Sequence, residues 1–359
     1  MSDSSRKHFN ISVVLGNGFD LGILSAIGKS TNELTTYHNY FQWLTNRHFD
    51  PANIIYKKMQ ELKAEGYEDW AALETLIENI LLESAADEAV ISQIDVIRQQ
   101  FTLFINEMVT ANDLLKVSQL SETNRLGKNT FGTFNGDFAN EGRRLKFFND
   151  IRKLNHNCYN WVFLNLNYTA IAENYFHFVH DPHPYQKSTN NFIIIPRPKT
   201  NRKWRPYTEL SFEFHHPHGR QDVYQSLLLG TSSINLNSAD SWRYEKHYIG
   251  RLDERYGKFV DETDLFIIFG CSLSRADKFW WQKIICQMLE KERSEAVLYA
   301  FDRSESEEDI IQNFITDNIP DTSPTLCDDD IVKLRERFLV KKFDNEQPLK
   351  YGFAVGMEG

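Results

Sequence analysis

Ten residues near the N-terminus, Ile11 to Asp20 (I-S-V-V-L-G-N-G-F-D), constrain the fold more than any other stretch of the chain. The run Ile11, Val13, Val14 and Leu15 is short, apolar and β-branched, and it stops abruptly at Gly16-Asn17-Gly18. A strand buried on both faces reads this way where it turns into a nucleotide loop at the carboxyl edge of a parallel sheet. Glycines there let the backbone approach a phosphate or ribose closely. The same residues also describe a tight turn between a core strand and a helix, which needs no ligand. Two fingerprints are excluded by spacing. A dinucleotide G-x-G-x-x-G needs glycine at position 21, where Leu21 stands and Gly22 comes one residue late. Gly28-Lys29-Ser30 carries the closing letters of a P-loop, but its first glycine is misplaced and no apolar strand feeds it. What remains is G-N-G-F-D, in which Asn17 is a candidate hydrogen-bond partner for a ligand. Asp20 is a candidate ligand contact or, more simply, a helix N-cap.

With 359 residues, 41% of them hydrophobic and 26 of them Phe, the chain can bury a large core, as one α/β domain with an insertion or as two domains. A net charge of -10 argues against electrostatic capture of nucleic acid. No stretch has the roughly 20 apolar residues needed to cross a bilayer, and the opening M-S-D-S-S-R-K-H-F-N lacks the apolar core of a secretion signal. Cys158, Cys271, Cys286 and Cys327 form no C-x-x-C pair, as expected of reduced thiols rather than a disulfide or zinc framework. The expectation is a cytoplasmic protein.

After the first strand the pattern becomes helical. Trp70 to Ser84 and Asp87 to Val109 repeat apolar residues at three- and four-residue spacing, with Glu74, Glu78 and Glu83 read as the solvated side. Thr123 to Asn140, with three glycines and several Asn, reads as a loop and a candidate lid. Strand signals return at Trp161 to Asn165, Phe192 to Ile195, Ser211 to His215, Leu227 to Gly230, Leu265 to Gly270 and Val297 to Phe301. Phe338 to Phe343 reads as a last edge strand carrying Lys341 and Lys342. Helical patterns fall between them, at Ser238 to Phe259, Ser274 to Glu292 and Ser304 to Asp317, where the acidic run Glu305 to Asp309 marks a helix start. Strands alternating with helices predict an α/β fold, a Rossmann-like and largely parallel sheet flanked by helices. Residues 1–40 then hold the first strand and loop of that core, 41–155 a helical insertion, and 156–359 the rest of the core.

Several strands end in polar or glycine residues, and in a parallel sheet these ends converge on one edge. They are Gly16-Asn17-Gly18, Asn165-Leu166-Asn167-Tyr168-Thr169, His215-His216-Pro217-His218-Gly219, Gly230-Thr231-Ser232-Ser233 and Gly270-Cys271-Ser272-Leu273-Ser274, followed by Asp277. Each alone is ordinary turn or cap chemistry; five together suggest a site. The spacing of His215, His216 and His218 points neighbouring imidazoles in different directions, and no second ligand cluster completes a metal set, so no metal is expected. His218 beside Gly219 is better placed as a general base. His215 belongs to the strand and His216 is read as exposed.

Taken in order, G-N-G-F-D, N-x-N-Y-T, H-G, L-G-T-S and F-G-x-S-L-x-x-x-D resemble the AbiH-type phage abortive-infection family, itself distantly similar to sirtuin-like NAD-consuming proteins. The resemblance runs from Ile11 to about Asp277. It implies NAD as ligand or substrate, with Gly16 and Gly18 on the pyrophosphate and Asn167 by the nicotinamide ribose; Asn17, Asp20, Tyr168 and Thr169 are further candidate cofactor contacts. His218, with Gly219, is then the base. The adenine ribose falls to Gly230, Thr231 and Ser232 or to Gly270 and Ser272, with Asp277 nearby. It further implies a phage-derived trigger or a partner protein of a defence system, and a homo-oligomer. Thr169 stands where the sirtuin-like pattern has an acid, and the segment after Asp20 is several residues longer than that pattern. Two functions follow: an effector that hydrolyses the nicotinamide-ribosyl bond of NAD, with Asn167 and His218 catalytic, or a non-catalytic nucleotide-binding sensor or assembly module. A nuclease or nucleotide hydrolase has no carboxylate cluster for magnesium to support it.

Overall fold

The computed structural model describes residues 7–66, 72–83, 87–124, 126–138, 145–147, 157–176, 192–196, 207–223, 226–230, 251–273, 277–319 and 328–344, with 346 and 349. Among the described residues seven strands form one sheet: β1 (Lys7–Leu15), β2 (Asn157–Asn165), β3 (Phe192–Pro196), β4 (Tyr207–His215), β5 (Leu265–Phe269), β6 (Glu295–Phe301) and β7 (Phe338–Phe343). Their spatial order is β3-β4-β2-β1-β5-β6-β7. Six are parallel, and β3 alone runs antiparallel, on the outer side of β4. The six parallel strands therefore wind outward from β1 in one direction and then from β5 in the other. This is the doubly wound order of nucleotide folds, with its switch point between β1 and β5.

The first strand is buried on both faces, as its continuous apolar run requires. Ile11, Val13 and Leu15 enter one core with Trp161, Phe163, Ile267 and Phe269. Val14 enters the other with Val162, Leu164, Phe266 and Ile268. Helices α1 (Asn17–Ala26), α6 (Ala111–Asn124), α7 (Leu126–Thr133) and α8 (Ile171–Tyr175) cover the first face. Helices α9 (Leu252–Asp261), α10 (Lys278–Glu290), α11 (Glu307–Asp317) and α12 (Asp328–Arg335) cover the second. Helices α2 (Tyr37–Asn46), α3 (Ile54–Ala64), α4 (Ala72–Glu83) and α5 (Glu88–Met108) build a third core around Tyr40, Phe104 and Ile94. Ser306 caps α11 by accepting from Asp309 N, and Glu307, Glu308 and Asp309 fill its first turn, as the acidic run predicts.

Three expectations change. The described residues between 123 and 140 are not a loop: the end of α6, α7 and a 3-10 turn at Phe134–Phe138 occupy them. Phe131, Phe134 and Phe138 drive this segment into the first core, and Gly127 is small because α7 lies against the Phe176 backbone. Leu227 to Gly230 is not a strand. Leu227 and Leu229 pack into the third core instead, and Leu228 N donates to His218 O at 2.8 Å. Glu74 is not solvated but 8% exposed. It follows Leu73 and lies one and two turns before Ile77 and Leu81, at the border of the buried stripe. Of the helix read at 238 to 259, residues 238–250 lie outside the described residues.

Candidate functional site

The two glycines of the first loop pack against another loop. Gly16 N donates to Phe269 O and Gly18 N to Gly270 O, each at 2.9 Å. A Cβ on Gly16 would lie 2.5 Å from Gly270 O, and one on Gly18 would lie 2.8 Å from Gly270 Cα. Gly270 itself has φ +69°, which disfavours a side chain there. The turns after β1 and β5 are thus closed on each other at the switch point, and both glycine N–H groups are satisfied within the protein. Asn17, exposed on this turn, is also engaged: its Nδ2 donates to Thr35 O at 2.9 Å and its Oδ1 accepts from Thr35 Oγ1 at 3.0 Å. Ser272 is exposed, and its carbonyl accepts from Arg303 Nη2 at 3.2 Å.

Asp20 does not cap α1; Gly16 is the N-cap residue. Asp20 is fully buried instead, and two residues from the end of β2 hold it. Asn167 Nδ2 donates to Asp20 Oδ1 at 3.0 Å, and Thr169 Oγ1 lies 2.5 Å from Asp20 Oδ2. Asn167 Nδ2 also donates to Gly16 O at 2.9 Å, while Asn167 N donates to Asn165 Oδ1 at 3.1 Å. Burial pushes the Asp20 carboxyl up to about 7; the Glu173 charge adds to this, and the bonds from Thr169 and Asn167 and the nearby His216 oppose it.

The histidines separate clearly. His215, at the end of β4, stacks on Phe259 with ring centroids 4.4 Å apart, and burial lowers its pKa. His216 is not exposed: its Nδ1 lies 3.3 Å from Asn167 O and its Nε2 2.5 Å from Glu173 Oε1. Both ring nitrogens face acceptors inside the protein, and Arg220 Nη1 reaches the same Glu173 oxygen at 3.5 Å. His218 is 3% exposed. Its Nδ1 lies 3.1 Å from Leu166 O and its Nε2 3.4 Å from Asp277 Oδ1. With Nδ1–H donating to Leu166 O, a neutral ring carries its lone pair on Nε2, beside the Asp277 carboxylate, which favours a proton there. Gly219, at φ +86°, turns the chain back so tightly that a Cβ would lie 1.9 Å from Ser226 O. That reversal sets Leu228 N against His218 O.

The helical insertion contributes to this edge, which its distance in sequence conceals. Tyr168 packs edge-on against Phe101 of α5, and its hydroxyl lies 3.2 Å from Leu228 O and 3.5 Å from Glu74 Oε1. Burial and the charges of Glu74 and Asp277 hold the Tyr37 and Tyr168 phenols well above their usual range. Burial likewise raises the Cys271 thiol, with Asp277 adding to it, so this sulfur stays protonated rather than acting as a nucleophile. The structure therefore brings Asp20, Asn167, Tyr168, Thr169, His218, Gly219 and Asp277 together. Gly230 is buried beside Leu229, and Thr231 and Ser232 lie outside the described residues. Among the described residues no group of three His, Cys, Asp or Glu is placed to hold a metal ion, and no helix is long and apolar enough to cross a membrane.

Compared with known protein families, residues 13–299 match the model described as Bacteriophage abortive infection AbiH. No curated protein and no solved structure matches the chain. The sirtuin-like likeness accordingly rests on the motifs alone. The matched stretch begins in β1, ends in β6 and contains Asp20, Asn167, His218 and Asp277, so this chain belongs to the AbiH family of phage abortive-infection proteins.

Proposed function

We propose that this protein binds NAD at the carboxyl edge of its sheet and hydrolyses the nicotinamide-ribosyl bond, in abortive defence against phage. One observation carries the reading. His218 is buried at the strand edge with Nδ1 against Leu166 O and Nε2 3.4 Å from Asp277, one loop away from Asn167. Cleavage of this bond passes through a positively charged, oxocarbenium-like ribose, and nicotinamide leaves as a neutral base with the bonding electron pair. His218 Nε2 takes a proton from the attacking water, whose oxygen bonds to the ribose carbon. Asn167 orients the ribose, and the nearby carboxylates Asp277 and Glu74 favour developing positive charge.

The diphosphate fits less well where the sequence suggests it. Gly16 N–H and Gly18 N–H donate to β5 and its loop, so these glycines shape the turn rather than cradle phosphate. The experiment is incubation with NAD, with and without phage infection of the host, followed by chromatography for nicotinamide and ADP-ribose. Alanine at His218 or Asn167 abolishes release; unchanged release in both overturns the mechanism.

A second reading, a nucleotide-binding sensor without turnover, draws on the packing of Tyr168, Leu227 and Leu229 into the insertion core. A ligand beside His218 would then be felt directly by the insertion. NAD binding with no product favours this reading.

A further inference from the structure

We infer that Asp20 is a positioning residue that fixes the Asn167 amide, turning its Oδ1 into a preset acceptor for a hydroxyl of the ligand. The inference rests on the proposed function only for the identity of that ligand, a nucleoside ribose. The geometry leaves the Asn167 amide one orientation. Its Nδ2 has two acceptors, Gly16 O at 2.9 Å and Asp20 Oδ1 at 3.0 Å, which use both of its hydrogens. Flipping the amide would set Oδ1 against two acceptors, take from Asp20 Oδ1 its donor and leave Gly16 O with Phe19 N alone. Among the described residues Oδ1 has no hydrogen-bond partner, although Asn167 as a whole is 5% exposed. Thr169 Oγ1 holds the second Asp20 oxygen, so the carboxylate cannot rotate away.

Asp20 acts through Asn167 and not by touching a ligand, because its side chain is entirely buried. Thr169 gains a role from the same geometry, since its hydroxyl donates to a carboxylate brought in from α1, in place of an acid of its own. The groups whose charge reaches Asp20 are Glu173 on α8 and His216 after β4. An Asn at position 20 presents one acceptor to Asn167 and one donor to Thr169, which preserves the network without charge. An Ala presents neither.

The test compares the full-length wild type with Asp20→Ala, Asp20→Asn, Thr169→Val, Asn167→Ala and the Asp20→Ala/Asn167→Ala double variant. Calorimetric titration with NAD is the first readout. Asp20→Ala and Asn167→Ala are each expected to weaken binding at least tenfold, and the double variant no further than Asn167→Ala alone. Asp20→Asn recovers most of what Asp20→Ala loses. Multiplicative losses in the double variant, or wild-type binding by Asp20→Ala, overturn the inference. The second readout needs no ligand: the side-chain amide protons of 15N-labelled Asn167, assigned by their loss in Asn167→Ala. Slow exchange with solvent in wild type and Asp20→Asn, and fast exchange in folded Asp20→Ala or Thr169→Val, supports the inference. Equal exchange in all four overturns it. A wild type that binds no NAD overturns the proposed function, and the amide exchange then decides the role of Asp20 by itself.

Discussion

Asp277 Oδ1 lies 3.4 Å from His218 Nε2, so a residue at the start of α10 faces a histidine that follows β4 across the carboxyl edge of the sheet. Asp277 occupies the N-cap position of its helix but makes no side-chain cap bond there. Its carboxylate is turned toward the imidazole. Asp277→Asn is therefore expected to slow nicotinamide release about tenfold while leaving thermal stability within about 1 kcal/mol, and His218→Ala to slow it by about 100-fold or more. Initial rates and melting curves on the same preparations check both.

Asp20 makes stability depend on pH in a defined direction. Its native pKa of about 7 stands above the ordinary 3.8, so between these values the native state holds a proton that the unfolded chain has released. The resulting stability is fully present below about pH 4 and is lost as pH rises through 7, by about 4 kcal/mol in all. Asp20→Asn cannot ionise. It is expected to match wild type below about pH 4, to exceed it increasingly as pH rises, and to show its full advantage by pH 8.5, read as the difference in urea midpoints at each pH.

Gly270→Ala should destabilise by about 3 kcal/mol, because a Cβ there must hold a left-handed φ of +69° and would stand 2.5 Å from Phe19 N. Gly22→Ala is the contrasting change. Gly22 lies within α1 with nothing within 4 Å of an added Cβ, and the substitution should stabilise by about 1 kcal/mol. Equal effects of the two would contradict the loop contact described at the switch point.

Lys29, after α1, pairs with Asp113 of α6 at 2.9 Å and donates to Met108 O at 2.8 Å, with side-chain exposures of 13% and 6% for the ion pair. Thr110 and Lys29 hold the Asp113 carboxyl below its usual range against the effect of burial, so this contribution is lost as pH falls through the acid range. Asp113→Ala leaves a largely buried ammonium unpaired and should cost about 3 kcal/mol; the Lys29→Met/Asp113→Leu double variant should cost less. Denaturant titration at pH 7 measures both.

The parallel sheet was legible because buried strands announce themselves by composition. Ile11 to Leu15 and Leu265 to Phe269 are apolar at every position except Ser12, whose hydroxyl is satisfied by Phe259 O and Thr263 Oγ1. Phe338 to Phe343 matched residue for residue. Leu227 to Gly230 misled for the same reason: three leucines look like a core strand, but Leu227 and Leu229 pack among helices of the insertion. Residues 126–138 misled in the opposite sense, since Gly127, which suggests a loop, there lets a helix pack close to the Phe176 backbone. The site was legible as a set of strand ends but not in its internal pairing. Nothing local in G-N-G-F-D says that Asp20 faces Thr169 rather than its own helix N-terminus, and His216 is paired by Glu173, from a helix that follows a different strand.

Because Tyr168 meets Phe101, and Leu227 and Leu229 lie among the side chains of α2 to α5, the edge of the sheet owes part of its shape to the insertion. A chain trimmed of residues 41–155 would uncover those leucines and release the backbone that carries His218. Loss of activity after such a deletion, or after a cavity-forming change such as Phe101→Ala, would not by itself identify a sensor. The informative variants on the insertion are those on its outward surface, where recognition of another molecule can change while the chain around His218 keeps its course.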